Sequence, residues 1–282
     1  MAKLGRYRRW VTETGEQVPE SLAGRLPGGR LFKGIRKVRL GDVGPSGNLR
    51  LDALTRYTQD VSNDDTTDAK LDDNMAWVVR RTTIDLIRPA VFGENLEFTT
   101  FCSGLGRRWA ERRLEVVGEA GGHYEVATLW IYLDEATGRP KQLTPQFLEI
   151  YAEAAGDRAV TARLSHDSLP ETVDANEPWP LRTVDFDLFN HMNNAAYWAA
   201  MEELGLDGSD IGRRLVVEYR NGIGDGSRVE LAVRRRGQQA EVWWISDRGT
   251  AQEAIAATAT STPLADNPYE VGPDGGTKTV DR

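Results

Sequence analysis

The densest chemistry in the chain lies between Val184 and Asn194, where Asp185, Asp187, Asn190, His191, Asn193 and Asn194 fall within eleven residues. Such a stretch is too polar for a buried strand and too concentrated for an idle loop, which points to a functional loop. A carboxylate with an imidazole four residues on can activate water or attack an acyl carbon, with Asp187 as base or nucleophile and His191 beside it. That step also needs donors for the oxygen of a tetrahedral intermediate. From Ala195 the composition turns helical, with Ala196, Ala199, Ala200 and Glu203 at helical spacing and no Gly or Pro before Gly205. Asn193 or Asn194 is the natural N-cap, so the loop is delivered to the end of a helix whose first N–H groups have no internal partner and favour an anionic oxygen. Asn193 would fix the loop, and Glu203 lies further along the same helix. Each also has a plain structural alternative: Asp187 and Asn193 as caps, His191 as a satisfied loop histidine, Glu203 in a buried salt bridge.

The elements that must position this loop form two similar units. In the first, the alternation from Leu31 to Leu40 suits a half-buried strand, Gly41 to Gly47 a turn, and Leu49 to Val61 a helix with Leu51, Leu54, Tyr57, Thr58 and Val61 on one stripe. An Asp- and Thr-rich linker, Ser62 to Asn74, leads to four strands: Met75 to Ile87, Asn95 to Gly104, Arg108 to Val117 and Glu125 to Asp134. A short helix, Pro145 to Ala155, precedes a proline-bearing linker, Gly156 to Pro180. The second unit then runs as a strand near Leu181 to Val184, the polar loop, a helix Ala195 to Leu204, and strands at Arg214 to Tyr219, Ser227 to Arg235, Gln239 to Ser246 and Ala251 to Thr262. Gly93-Glu94 against Gly224-Asp225, and Ala110-Glu111 against Ala240-Glu241, stand about 130 residues apart, which marks an internal duplication. The layers are α+β. The expected division is an irregular lead-in over 1–29, an N-terminal domain over 30–155, a linker over 156–180, a C-terminal domain over 181–264 and a disordered tail over 265–282. Where the second unit carries Asp187 to Asn194 the first has Asp42 to Asn48 without a histidine, so one site per chain is expected.

Composition removes several function classes. The chain has 282 residues, is 40% hydrophobic and carries a formal charge of −8, which suits globular cores and argues against binding nucleic acid through a general positive surface. A single cysteine, Cys102, allows no internal disulfide and fits the cytoplasm; it reads as a packed core thiol. No run approaches the roughly 18 apolar residues of a membrane span. Three histidines and one cysteine without ligand spacing argue against a zinc site, and no cofactor is implied. His123 and His166 are expected to be exposed. Arg80, Arg81, Arg88, Arg107, Arg108, Arg112 and Arg113 read as a solvated strand face or as a docking patch for an acidic partner.

The stretch Asp187-x-x-x-His191-x-Asn193-Asn194 followed by x-x-Tyr197 resembles the signature of hotdog-fold thioesterases, in which a curved antiparallel sheet wraps a central helix. Across the chain the resemblance is closer to the acyl-ACP thioesterases, two hotdog domains in tandem. It is carried by Trp77-Val78-Val79-Arg80-Arg81, Arg88-Pro89, Gly93-Glu94, Thr99-Thr100, Ala110 to Arg113, Trp130 and Arg139-Pro140, and runs from about Arg36 to Thr262. The resemblance implies hydrolysis of fatty acyl-ACP to free fatty acid and holo-ACP. Asp187 would be the catalytic aspartate, His191 the motif histidine and Glu203 the helix glutamate that orients water or His191, the partner being an acyl carrier protein with its phosphopantetheine arm. A homodimer is compatible with it. The plant enzymes have an asparagine where this chain has Phe189 and a Glu-Cys pair where it has Gly222-Ile223. Either Asp187, His191 and helix donors suffice, as in simpler hotdog thioesterases, or activity is weak. An acyl-CoA thioesterase and a non-catalytic or dehydratase-like double hotdog that binds acyl groups are the alternatives.

Overall fold

A computed structural model describes residues 22–71, 76–206 and 212–264 of the chain. Most of the expected lead-in, the end of the expected Asp-rich linker and the expected tail lie outside the described residues.

In chain order the elements are β1 (Phe32–Lys37), α1 (Leu51–Asp68), β2 (Ala76–Arg88), β3 (Asn95–Leu105), β4 (Trp109–Gly118), β5 (His123–Leu133), α2 (Pro145–Ala155), β6 (Ala175–Trp179), α3 (Ala196–Glu203), β7 (Arg213–Tyr219), β8 (Val229–Arg236), β9 (Gln239–Ser246) and β10 (Ala254–Pro263). The strands form one antiparallel sheet of ten in the order β1-β3-β4-β5-β2-β7-β10-β9-β8-β6. The halves meet where β2 pairs β7, from Arg81 opposite Glu218 to Leu86 opposite Arg213. Read outward from that seam the two halves have the same order, and each follows its first strand with a 3-10 turn, a loop and a helix.

The repeat holds at the level of single hydrogen bonds. Bridges Val43–Leu49 and Asn48–Val91 in the first half recur as Phe186–Met192 and His191–Gly224 in the second. Asp187 therefore stands where the first half has Gly44, His191 where it has Asn48, and Asn194 where it has Leu51. The glycine equivalence expected from sequence shifts by two: Gly93 matches Gly226, both in the left-handed region with φ of 86° and 85°.

One apolar core serves both halves. Leu51, Leu54 and Val61 of α1 and Trp198 and Met201 of α3 pack with Phe98, Leu114, Val126, Leu215 and Trp244 from one face of the sheet. Burying each such side chain is worth about 1.5–3 kcal/mol, which is what holds a short α3 helical at all.

Three expectations are corrected. The Asp-rich stretch after Val61 is not a linker as far as Asp68 but the last turns of α1. Aspartate is a weak helix former, yet here its charges are met: Asp65, 1% exposed, accepts from Arg30 Nε at 2.7 Å, from Arg112 and from Tyr151 Oη at 2.9 Å, and Arg36 pairs with Asp64. The second unit's first strand is not at Leu181 to Val184, which forms part of a 3-10 turn, but at β6, inside the expected linker. Its Pro178 is tolerated because β6 is an edge strand paired only with β8. His166 is not exposed. Residues 156–174 cross the sheet face opposite the helices, where Glu218 accepts the N–H of Ser165 at 2.8 Å and of His166 at 3.1 Å, and Asp167 O accepts Trp243 Nε1 at 3.2 Å. The His166 ring is buried there, with Nδ1 2.9 Å from Thr258 Oγ1 and 3.8 Å from Glu218.

Arg112→Ala should cost about 2–3 kcal/mol, because it leaves Asp65 buried with one cation fewer, while Arg108→Ala, at an exposed position, should change stability by less than about 0.5 kcal/mol. Equilibrium denaturation of both variants checks this. The strap adds a pH dependence. Burial holds the His166 imidazole below its usual range. Burial alone would raise Glu218, but the His166 charge and the Ser165 and His166 N–H groups outweigh it and hold the carboxyl low. Both groups are depressed on folding, so their contribution is present above the ordinary histidine and glutamate values and is lost as pH falls. Unfolding midpoints should drop on acidification from neutral pH, and His166→Gln should flatten the part of that drop nearest neutrality.

Candidate active site

The loop entering α3 is set by Asp185. Its carboxylate, 3% exposed, accepts the Arg182 N–H at 2.8 Å and the Arg182 guanidinium at 2.8 Å, while its carbonyl accepts the Asn193 N–H at 2.7 Å. Asp42 makes the corresponding bonds to the N–H groups of Arg39 and Arg50. Asp185 is thus structural. Asp187, half-buried, spends one oxygen on the turn, Oδ1 accepting the Phe189 N–H at 2.9 Å; its other oxygen has no partner among the described residues. Asn190, at φ 58°, takes the left-handed position that Gly47 fills in the first half, a conformation asparagine tolerates.

His191 pairs its backbone with Gly224 and lays its ring over Gly222, where a β-carbon would come within 3.1 Å of the ring. Neither ring nitrogen is bonded among the described residues. The expected N-cap at Asn193 or Asn194 is corrected, since the cap position falls on Ala195; Asn193 instead ties the loop to the helix start, Oδ1 accepting the Ala195 N–H at 2.8 Å and its carbonyl accepting the Ala196 N–H at 2.8 Å. Tyr219 Oη donates to the Asn194 carbonyl at 3.0 Å and accepts from Trp198 Nε1 at 3.1 Å; burial pushes the phenol up, so it remains a donor.

Asp187, His191 and Asn193 therefore share one loop at the start of α3. Glu203 does not join them. It is the exposed last residue of that eight-residue helix, at the end away from the loop. The neighbouring Glu202 faces inward instead and accepts the Leu51 N–H, at the start of α1, at 2.6 Å.

In the first half the counterpart of this loop is filled. Arg50, where the second half has Asn193, threads its guanidinium onto the carbonyls of Gly41 at 2.9 Å and Val43 at 3.1 Å. Gly44 replaces Asp187, and Glu202 occupies the Leu51 N–H. In the second half the corresponding Asn194 N–H meets no carboxylate, and Asn194 lines a small cavity with Gln59, Ser62 and Trp130. The same three residues also line a cavity of about 190 Å³ closed by Trp77, Phe147 and Tyr151, so the two are adjoining compartments between α1, α2 and the sheet.

The expected arginine patch is divided. Arg112 and Arg113 turn inward, the second onto Glu125 and the Val126 carbonyl; Arg80 donates to the Tyr219 carbonyl; Arg88, Arg107 and Arg108 remain exposed. Among the described residues no cluster of His, Cys, Asp and Glu could hold a metal, and no helix is long and apolar enough to cross a membrane.

The N-terminal domain model of the acyl-ACP thioesterases matches residues 29–151, and their C-terminal domain model matches residues 170–260. The chain belongs to the acyl-ACP thioesterase family. It is a thioester hydrolase built as a double hotdog. A 12:0-ACP thioesterase from Umbellularia californica shares the fold with a TM-score of 0.66 at 19% identity, covering 83% of this chain and 97% of that one. An acyl-ACP thioesterase from Bacteroides thetaiotaomicron gives 0.67 at 15%, over 82% and 96%. An uncharacterised protein of Mycobacterium tuberculosis is 32% identical over 190 residues, 66% of this chain and 75% of its own length. The chain's departures from the plant residues have structural counterparts. Phe189, at the missing asparagine, is 71% exposed at the loop tip, Gly222 makes room for the His191 ring, and Ile223 is fully buried with its carbonyl on the Met192 N–H.

Cys102 lies in the wall of the larger cavity, 4% exposed, and burial pushes its thiol up to about 11, so it is neutral near pH 7. Cys102→Ser should keep most of the turnover; a folded but inactive variant would show the nucleophile to be this sulfur.

Proposed function

We propose that the chain hydrolyses fatty acyl thioesters of acyl carrier protein in the cytoplasm, releasing the fatty acid and the carrier's phosphopantetheine thiol, with Asp187 as the general base. The observation that supports it most is the contrast between the halves: the Leu51 N–H is closed by a carboxylate oxygen, whereas the corresponding Asn194 N–H makes no hydrogen bond among the described residues, on a loop that also carries an Asp187 oxygen and a His191 ring without partners there. A water held by the free oxygen of Asp187 gives that carboxylate its proton as the water oxygen bonds to the carbonyl carbon. The carbonyl oxygen becomes an oxyanion facing the Asn194 N–H in the turn that leads into α3. Collapse re-forms the carbonyl and breaks the C–S bond, and the departing sulfur takes the proton from Asp187. His191 polarises the carbonyl from the same loop, and Asn193 holds that loop to the helix. Glu203 is too remote in this arrangement to touch substrate. The acyl chain would run past Gln59 and Trp130 into the 190 Å³ cavity, whose aromatic wall suits an alkyl chain.

Asp187→Asn keeps the shape and removes the charge. Turnover should fall by about a hundredfold or more with the fold intact. Asp185→Asn should act mainly on stability, through the lost Arg182 pairing. The assay is thiol release from acyl-ACP and acyl-CoA of equal chain length, with the carrier-bound substrate expected to show the higher kcat/KM. Wild-type rates from a folded Asp187→Asn would rule out this base, and a preference for CoA would move the assignment to an acyl-CoA thioesterase.

A further inference from the structure

Glu202 and Gln59 occupy one position in the two halves of the repeat: each lies the same number of residues beyond a matching backbone N–H, Leu51 at the start of α1 for Gln59 and Asn194, in the turn that leads into α3, for Glu202. α1 and α3 pack against each other, and one crossing between them is complete: Glu202 Oε1, from α3, takes the Leu51 N–H at 2.6 Å. The reciprocal crossing brings Gln59, from α1, toward the start of α3. Gln59 and Asn194 indeed line the same small cavity, yet neither the Gln59 carboxamide nor the Asn194 N–H makes a hydrogen bond among the described residues. The cavity wall holds a second unpaired donor, since the Trp130 Nε1–H is buried without a partner. Donors left unpaired in this way are matched to a ligand that brings an oxygen.

We infer that Gln59, contributed by the first half, is a catalytic residue of the second half's site. Its Nε2 donates to the thioester carbonyl oxygen that also accepts the Asn194 N–H. This rests on the thioester-hydrolase reading of that site. The substrate oxygen takes the place relative to Asn194 that Glu202 Oε1 takes relative to Leu51, so the closed half displays what the open half binds. The difference in side chain then has a chemical reason. A carboxylate at 59 would occupy the N–H itself and repel a developing oxyanion; a carboxamide of the same shape is neutral and supplies two N–H donors.

The test compares Gln59→Ala, Gln59→Glu and Asp187→Asn in thiol release from an acyl thioester, from about pH 5 to about pH 9, with thermal unfolding of each variant. Gln59→Ala should lower kcat by about 10²-fold, the scale for losing one oxyanion donor, with KM little changed. Gln59→Glu, isosteric and so the variant least likely to disturb folding, should be slower still at neutral pH. It should regain rate as pH falls through the carboxyl titration, because the protonated acid no longer competes for the Asn194 N–H and can itself donate; the wild type should show no such acid limb. A folded Gln59→Ala at the wild-type kcat, with Asp187→Asn inactive, overturns this inference alone, as does a Gln59→Glu profile parallel to the wild type. If Asp187→Asn also turns over normally, the reading of the site fails and the inference falls with it.

Discussion

The pairing of β2 with β7 is the constraint on which everything else hangs. Each half alone would end in a long strand with unpaired backbone groups, an edge open to aggregation. Six residue pairs close both edges, and Arg214 grips Asp85 across the seam with two bonds of 2.5 and 2.6 Å. Because the join is antiparallel, the second half is turned about an axis through the seam, and both central helices arrive on the same face. They must then pack against each other, with the start of α1 near the end of α3 and the approach to α3 near the middle of α1. Glu202 can reach Leu51 across 151 positions of sequence only because the seam fixes that crossing.

A duplicated fold begins with two equivalent loops, and the chain has spent them differently. In the first half, position 50 is an arginine whose guanidinium satisfies two loop carbonyls and pairs with Asp52, so the loop is rigid and full. In the second half the same position is Asn193, short enough to bond only the Ala195 N–H and leave the loop carbonyls uncovered by a guanidinium. Gly44 and Asp187 differ in the same sense, as do Asn48 and His191. Hydrogen bonds have been used up on one side and left open on the other, which is the usual division when strained or unpaired groups must be held in place by their surroundings.

Much of this was legible in local sequence and some was not. Strands with strict alternation were placed to within a few residues, and α2 to the residue, because Thr144, Pro145 and Gly156 are unambiguous boundary signals. β6 escaped because a proline and polar residues spoil its pattern, and only its pairing with β8 makes it a strand. The end of α1 escaped because its aspartates look like a linker until Arg30 and Arg112, distant in sequence, neutralise them. That Asp187, His191 and Asn193 share one loop was legible because the turn is built from neighbours within a few positions. The helix glutamates could not be told apart: Glu202 and Glu203 are adjacent on an amphipathically weak helix, and what turns one inward is the Leu51 N–H. Gln59 carried no signal, since its meaning lies in a helix from the other half.

The polar stripe that α1 turns toward the cavities follows from the same economy of hydrogen bonds. Thr55, Thr58 and Ser62 present hydroxyls where an alkyl chain would be expected to meet methyl groups. Each hydroxyl, however, donates back to its own helix: Thr55 to the Leu51 carbonyl at 2.9 Å, Thr58 to the Thr55 carbonyl at 2.8 Å and Ser62 to the Thr58 carbonyl at 2.7 Å. Their protons are already used, so displacing water from this wall leaves no donor stranded, and the threonine methyls supply apolar contact. Gln59 sits amid these satisfied hydroxyls with an amide that cannot fold back in this way. On a wall arranged to need nothing from its contents, it is the side chain of α1 beside Asn194 that still has protons to offer, so unmet polar groups on this wall gather at the one point where α1 faces the loop of the other half.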